Sequence, residues 1–102
     1  MQADLNVPPS TTVLLPSDGA TVSSGQSLDA TASPWATSVQ YELTGGTMND
    51  AVIATATPTL YGWFAQWDTT SVPNGTYTLN SVASDALGST GSSPGFSITV
   101  NN

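Results

Sequence analysis

The chain has 102 residues, a length that suits a single domain with one hydrophobic core. Seven acidic residues and no Lys, Arg or His give a formal net charge of -7. This argues strongly against binding to nucleic acid or to an anionic membrane, because both depend on basic side chains. The composition also removes Ser-His and Schiff-base catalysis, and the absence of Cys removes thiol chemistry and disulfides.

Short runs of alternating apolar and polar residues are separated by turn-forming residues, and no run has the helical period. Residues 1–10 are polar and end in two prolines and a serine, which predicts a linker ahead of a domain over 11–102. Val13 and Leu15 are expected on the same face of the first strand, and residues 86–95 are expected to form a loop. The predicted strands cover residues 11–16, 20–23, 26–32, 38–44, 51–57, 59–67, 76–85 and 96–100.

This spacing predicts an all-β fold, an immunoglobulin-like antiparallel β-sandwich of about seven strands in two sheets. In the predicted strand over 59–67, the aromatic residues Tyr61, Trp63 and Trp67 share one face. Phe64 lies on the other face, and because both faces cannot be buried in one sandwich, Phe64 or Trp35 should remain at the surface. The predicted core residues are Trp63, Trp67, Tyr77, Leu79 and Tyr41, and the candidate binding residues are Trp35, Phe64 and Tyr61.

Carboxylates are the remaining candidates for chemistry. A pair of them could act as general acid and base, as in glycosidases. Asp18, Asp68 and Asp85 instead lie at predicted turns or strand ends, where Asp caps the backbone. We therefore predict that the protein is not an enzyme. A metal would need oxygen ligands and would be calcium, but no segment has the spacing of a calcium loop, so we expect no cofactor and no metal site.

Four motifs follow one another along the chain: PSDGATV at 16–22, WDTTSVPNGTYTL at 67–79, VASDALG at 82–88 and SITVNN at 97–102. Through them the chain resembles the bacterial immunoglobulin-like domains over roughly residues 11–102. The resemblance implies a tandem module of a secreted or cell-surface protein. Tyr77 follows the turn at Asn74-Gly75 and stands where a tyrosine corner is expected, with its hydroxyl bonded to a backbone carbonyl.

Two functions stay open. The first is a non-catalytic extracellular spacer, one repeat of an array whose partners are neighbouring domains of the same polypeptide. The second is a module that holds a carbohydrate or another surface protein with exposed aromatic rings; two or more coplanar rings would favour it. No stretch is long enough to insert into a membrane as a helix. Residues 1–4 lack signal-peptide features, so a secreted protein would carry its signal outside this segment.

Overall fold

The computed structural model describes residues 8–60 and 62–102, which fold into two packed β-sheets. The strands found in these residues are β1 (Thr11–Leu15), β2 (Thr21–Val22), β3 (Gly25–Ala32), β4 (Ala36–Gly45), β5 (Met48–Thr55), β6 (Thr57–Thr59), β7 (Gly62–Asp68), β8 (Gly75–Asp85), β9 (Thr90–Ser92) and β10 (Phe96–Val100). A 3-10 turn, Thr69–Ser71, follows β7. The predicted all-β sandwich is confirmed, and the short strands β2, β6 and β9 bring the number above seven.

The two sheets have different sizes. One has the order β1-β3-β7-β6, and the other has the order β2-β10-β8-β4-β5. The neighbours are antiparallel except for β2 and β10, which are parallel. Along one edge of β8, β10 pairs with the first half of the strand and β9 with the second half. The sheet edge that β10 leaves open is therefore closed by β9.

The core is built from alternate residues of the long strands, because successive side chains of a strand point to opposite faces. In β4, Val39, Tyr41 and Leu43 are fully buried, whereas Gln40 is exposed. Trp63 is half-buried and packs against the core cluster. The buried apolar residues are Val13, Val22, Leu28, Ala30, Val39, Tyr41, Leu43, Ala56, Ala65, Trp67, Val72, Tyr77, Leu79, Ala83, Ile98 and Val100.

The expectation for Leu15 is wrong. Val13 is buried, but Leu15 is 45% exposed. The pairing register with β3 shifts between these two residues, so that Leu15 lies opposite Asp29. An extra residue in one strand reverses the alternation of inner and outer side chains beyond it, and an apolar sequence pattern does not reveal such a bulge.

Several strand ends shift by a few residues, as in β5, which covers Met48–Thr55 where 51–57 was predicted, and two predicted segments differ further. The predicted strand over 59–67 is divided, because β6 ends at Thr59 and β7 begins at Gly62. The predicted loop over 86–95 contains β9. In both places a few polar residues pair with a longer strand, and such pairing depends on an available sheet edge rather than on an apolar pattern.

The described end of the predicted linker is packed against the domain. Pro9 is fully buried, and a Cβ atom placed on Gly91 would lie 1.9 Å from the Pro9 carbonyl oxygen. The backbone N–H of Ser10 donates to Ser33 Oγ at 2.8 Å, and the N–H of Ser33 donates to the Ser10 carbonyl at 2.9 Å. The chain is thus fixed to the sandwich from Pro9 onward, while residues 1–7 lie outside the described part.

Tyr77 forms the corner that its position predicts. Its hydroxyl donates to the Pro73 carbonyl oxygen at 2.6 Å, and its ring is buried. In the turn before Tyr77, Gly75 has a φ of +155°. Asn74 contributes differently, because its side-chain oxygen accepts the backbone N–H of Asn102 at 2.9 Å. The corner therefore also holds the last residue of the chain.

Replacing Trp67 tests the core. Trp67 is 3% exposed, and its indole N–H has no hydrogen-bond partner among the described residues, so the ring contributes through packing. We expect Trp67→Ala to lower the free energy of unfolding by about 3–5 kcal/mol, measured by urea denaturation. Trp35→Ala removes the same side chain from an exposed position and serves as the control. A loss below about 1 kcal/mol for Trp67→Ala would contradict a packing role.

Candidate functional site

The two ends of the sandwich are distinct surfaces. β1 begins beside the end of β3, where Thr11 pairs with Ala32, and β10 ends beside the start of β8, where Val100 pairs with Gly75. Strand β8 runs between these ends over 11 residues, or about 35 Å. We call the end at which β1 begins the entry pole and the end at which β10 finishes the exit pole.

Three turns lie at the entry pole, and each exposes one large apolar side chain. Trp35 lies between β3 and β4, Leu60 lies between β6 and β7, and Leu87 lies between β8 and β9. Their exposed fractions are 49%, 97% and 67%. These three residues are called the apolar tip below. Apolar side chains exposed together on neighbouring turns mark a surface that another molecule can cover.

Polar groups of the backbone and of short side chains hold the turns of the apolar tip. The carboxylate of Asp85 accepts the N–H groups of Leu87 at 2.9 Å and Ser89 at 3.0 Å. Asp85 also pairs with Ala36, the first residue after Trp35, so the turns that carry Trp35 and Leu87 are neighbours. The Asp85 carboxylate therefore bonds to the backbone of these turns, and the side chains of Trp35 and Leu87 face solvent.

The exit pole is polar, and its residues form a network of hydrogen bonds. Asn102 Oδ1 accepts the N–H of Ser24 at 2.9 Å and lies 2.8 Å from Thr69 Oγ1. Asn102 Nδ2 donates to the Thr69 carbonyl at 3.0 Å. Thr69 is fully buried. A cleft of about 360 Å³ opens beside this network, between residues 46–48 and 73–77. No periodicity in the sequence points to Asn102, and sequence analysis missed it.

The candidate binding residues are not brought together as one aromatic surface in the described part of the chain. Trp35 belongs to the apolar tip, whereas Phe64 lies on the outer face of the four-stranded sheet, paired with Asp29 and Thr57. Phe64 is 36% exposed. Tyr61 lies outside the described residues. The separation of Trp35 from Phe64 leaves each ring as an isolated contact point.

The sheet surface around Phe64 has one unusual feature. Asp29 Oδ1 is buried and accepts no hydrogen bond from residues 8–60 and 62–102. Gly62 packs against it: a Cβ on Gly62 would lie 2.7 Å both from Asp29 Oδ1 and from the Ala30 carbonyl oxygen. Gly62 also has a φ of +126°, so a side chain there is disfavoured by both space and backbone conformation.

Tyr41 connects the two sheets beneath Phe64. Its hydroxyl donates to the Trp63 carbonyl oxygen at 2.5 Å, so a residue of β4 is bonded to β7 in the opposite sheet. Burial, together with the negative charge of Asp29, holds the pKa of Tyr41 well above its usual value. The phenol is therefore neutral over the working range of pH and acts as a hydrogen-bond donor.

Two carboxyl groups have shifted pKa values of opposite sign. Burial, and then the negative charge of Asp50, raise the pKa of Glu42. Hydrogen bonds from the Thr70 hydroxyl and backbone N–H lower the pKa of Asp68. The described residues contain no group of three side chains that could hold a metal ion. Among the same residues, no helix is long and apolar enough to span a membrane.

No protein-family model and no curated protein matches the sequence. Solved structures share the fold. Similarity to the endo-beta-1,4-mannanase from Thermotoga petrophila has a TM-score of 0.73 and 16% identity, covering 95% of this chain and 20% of that chain. Similarity to the fibronectin(III)-like modules of Clostridium thermocellum CbhA has a TM-score of 0.69 and 21% identity, and it covers 88% of this chain and 93% of that chain. Similarity to an engineered protein has a TM-score of 0.67 and 25% identity, and it covers 92% of this chain and 20% of that chain.

These similarities define the architecture. The sandwich is of the immunoglobulin and fibronectin(III)-like kind, and it matches nearly all of the chain described as CbhA modules. The chain spans only about a fifth of the mannanase and of the engineered protein. The narrower resemblance to bacterial immunoglobulin-like domains stays a prediction from sequence.

The two shifted carboxyl groups predict the response of stability to pH. Glu42, with a raised pKa, stabilises the fold when protonated, a contribution that is present below pH 4.5 and lost as pH rises. Asp68, with a lowered pKa, stabilises the fold when ionised, a contribution that is present above pH 3.8 and lost as pH falls through the lowered value. We expect thermal stability to stay level or rise on acidification from neutral pH to about 4.5, and to decline below about 3.8.

Glu42→Gln should reduce any rise and leave the decline at low pH, whereas Asp68→Asn should weaken the decline and leave the response between neutral pH and about 4.5 unchanged. Melting temperatures measured across this range separate the two contributions. A sharp loss of stability between about pH 6 and 4.5 in the parent chain would contradict this assignment.

Proposed function

We propose that the chain is a non-catalytic spacer module, one repeat of a tandem array in a secreted or cell-surface protein. The observation that supports this most is the position of the first and last strands, which lead to opposite poles of a body measuring 51 × 28 × 19 Å. A repeat with this geometry adds its long dimension to an array. A repeat whose ends lay side by side would instead turn the array back on itself.

The chain is bonded to the sandwich at both poles, a property that a spacer needs. At the entry pole Pro9 is buried, and Ser10 is bonded to Ser33. At the exit pole the N–H of Asn101 donates to the Val22 carbonyl at 2.9 Å, and Asn102 bonds to three residues. From Pro9 to Asn102 the chain is therefore bonded to the sandwich at both poles, as a spacer with a defined direction requires.

A module role agrees with the structural neighbours. The same fold forms a fifth of a chain described as an endo-beta-1,4-mannanase and nearly all of a chain described as fibronectin(III)-like modules. A spacer needs no chemistry, and the sequence has no His, Lys, Arg or Cys. The secreted or cell-surface location rests on the resemblance to bacterial immunoglobulin-like domains.

The exposure of Trp35 favours one second candidate, a carbohydrate-binding or adhesive module. An exposed indole ring can stack on a sugar ring. Soluble β-1,4-mannan is a suitable probe, given the mannanase among the neighbours. If this candidate is correct, mannan should retard the protein in affinity electrophoresis, and Trp35→Ala should abolish the retardation. An unchanged mobility of the parent chain in mannan counts against it.

A chain of three joined copies tests the spacer proposal. We expect each copy to unfold with the same denaturant midpoint as a single copy, because each 102-residue sandwich has its own core. Small-angle scattering should show the maximum dimension growing by about 50 Å with each copy, the long dimension of one body. Collapse of the three copies into a globule, or a single copy that is unfolded alone, would refute the proposal.

A further inference from the structure

Asn74 and Gly75 form the only Asn-Gly pair in the sequence. The side-chain amide of an Asn can react with the backbone nitrogen of the next residue, and Gly leaves this approach open because it has no Cβ atom. Asn74 is exposed to water. The turn explains why Asn and Gly stand at these positions, and the same two residues are the pair in this chain most prone to lose ammonia.

The reaction needs no group beyond this pair and water. The Gly75 nitrogen gives up its proton and forms a bond to Asn74 Cγ, the bond from Cγ to Nδ2 breaks, and Nδ2 leaves as ammonia with that proton. The product is a cyclic succinimide. Water then opens the ring at Cγ, which gives aspartate, or at the main-chain carbonyl carbon of residue 74, which gives isoaspartate. Either product adds one carboxylate to the chain.

The end of β10 holds both reacting groups in the folded chain. Asn74 Oδ1 accepts the backbone N–H of Asn102 at 2.9 Å. Val100 lies opposite Gly75, and the residues on either side of Val100 donate their N–H groups the other way, to segment 20–22. Because successive backbone groups of a strand point to opposite sides, the N–H and carbonyl of Val100 face Gly75. The amide oxygen is therefore held, and the attacking nitrogen is covered.

Asn102 is itself bonded to the sandwich. Its Oδ1 accepts the N–H of Ser24 at 2.9 Å, and its Nδ2 donates to the Thr69 carbonyl at 3.0 Å. The bonds of Asn102 to Ser24, Thr69 and Asn74 are called the Asn102 clasp below. Thr69 is fully buried, so the clasp is attached to a fixed part of the domain. The attack requires Asn74 Cγ to lie against an uncovered Gly75 nitrogen, and opening of the clasp permits this arrangement.

We propose that Asn74 is a site of spontaneous deamidation that the Asn102 clasp protects. The succinimide forms while the end of β10 is locally open, and the closed sandwich is resistant. Local openings cost less free energy than global unfolding, so the reaction proceeds in a chain that is otherwise folded. This modification site does not depend on the proposed spacer function.

The two products affect the exit pole differently. The aspartate product keeps an oxygen that can accept the N–H of Asn102. Isoaspartate carries the backbone through Cβ and Cγ and so adds a methylene group between Pro73 and Gly75. The Pro73 carbonyl accepts the Tyr77 hydroxyl at 2.6 Å, and the added length alters the corner that this bond closes. Isoaspartate therefore turns a transient opening into a permanent loosening of the exit pole.

Mass spectrometry of the folded chain, incubated at mildly alkaline pH, tests the site. Peptide mapping should find deamidation first at position 74, at least about tenfold slower than in a free peptide of residues 71–78, because the peptide lacks the clasp. Asn102→Ala removes the side-chain bonds of the clasp and should raise the rate severalfold. Asn101→Ala replaces an exposed side chain beside the clasp and should leave the rate unchanged.

Val39→Ala separates local opening from global unfolding. Val39 is fully buried and pairs with Ala83 towards the entry pole, so its truncation lowers global stability and leaves the clasp intact. The deamidation rate should stay at the parent value. An equal rise with Val39→Ala and with Asn102→Ala, or no rise with Asn102→Ala, would overturn the protection by the clasp.

Three further outcomes contradict the proposal. Deamidation of the folded parent at the rate of the free peptide would show that the fold protects nothing. Faster deamidation at another Asn would overturn the assignment of the site. Chains with isoaspartate at position 74, separated by chromatography, should melt at a lower temperature than the parent, and an equal melting temperature would overturn the loosening of the exit pole.

Discussion

The absence of any basic side chain is the constraint on which this structure depends. A carboxylate here cannot be neutralised by Lys, Arg or His, so it is stabilised by N–H and O–H groups instead. Asp18 accepts the N–H of Ser97 at 2.7 Å, Asp68 accepts two bonds from Thr70, and Asp85 closes a turn. These three acidic residues lie at turns and strand ends, where the backbone has free N–H groups, and they fix the connections between strands.

The two sheets are joined without ion pairs by packing and by hydroxyl groups. The Tyr41 hydroxyl reaches across to the Trp63 carbonyl. On the other side of the core, Thr11 Oγ1 of β1 lies 2.8 Å from Ser81 Oγ of β8, and both residues are buried. Buried hydroxyl groups that are satisfied in this way cost little, and they specify how one sheet lies on the other. The sandwich thus depends on short uncharged contacts that salt screens very little.

Alternation of apolar residues predicts the sheets well, and it fails where pairing is irregular. Tyr77 and Leu79 are found buried on the strand that their spacing indicates. Leu15 is misplaced because a bulge in β1 is a property of pairing with β3 and leaves no mark in the apolar pattern. The apolar tip was equally hidden, since Leu60 and Leu87 are 27 residues apart in sequence, and only the strand order places their turns at the same pole.

The two poles differ in chemistry, and that difference gives the module a direction. The entry pole presents apolar side chains on turns, whereas the exit pole presents a cleft and the hydrogen-bonded network around Asn102 and Thr69. In the proposed spacer, β1 begins at one pole and β10 ends at the other. The covalent chain would therefore run from pole to pole through each copy, and the two ends of a copy would present different surfaces to its neighbours.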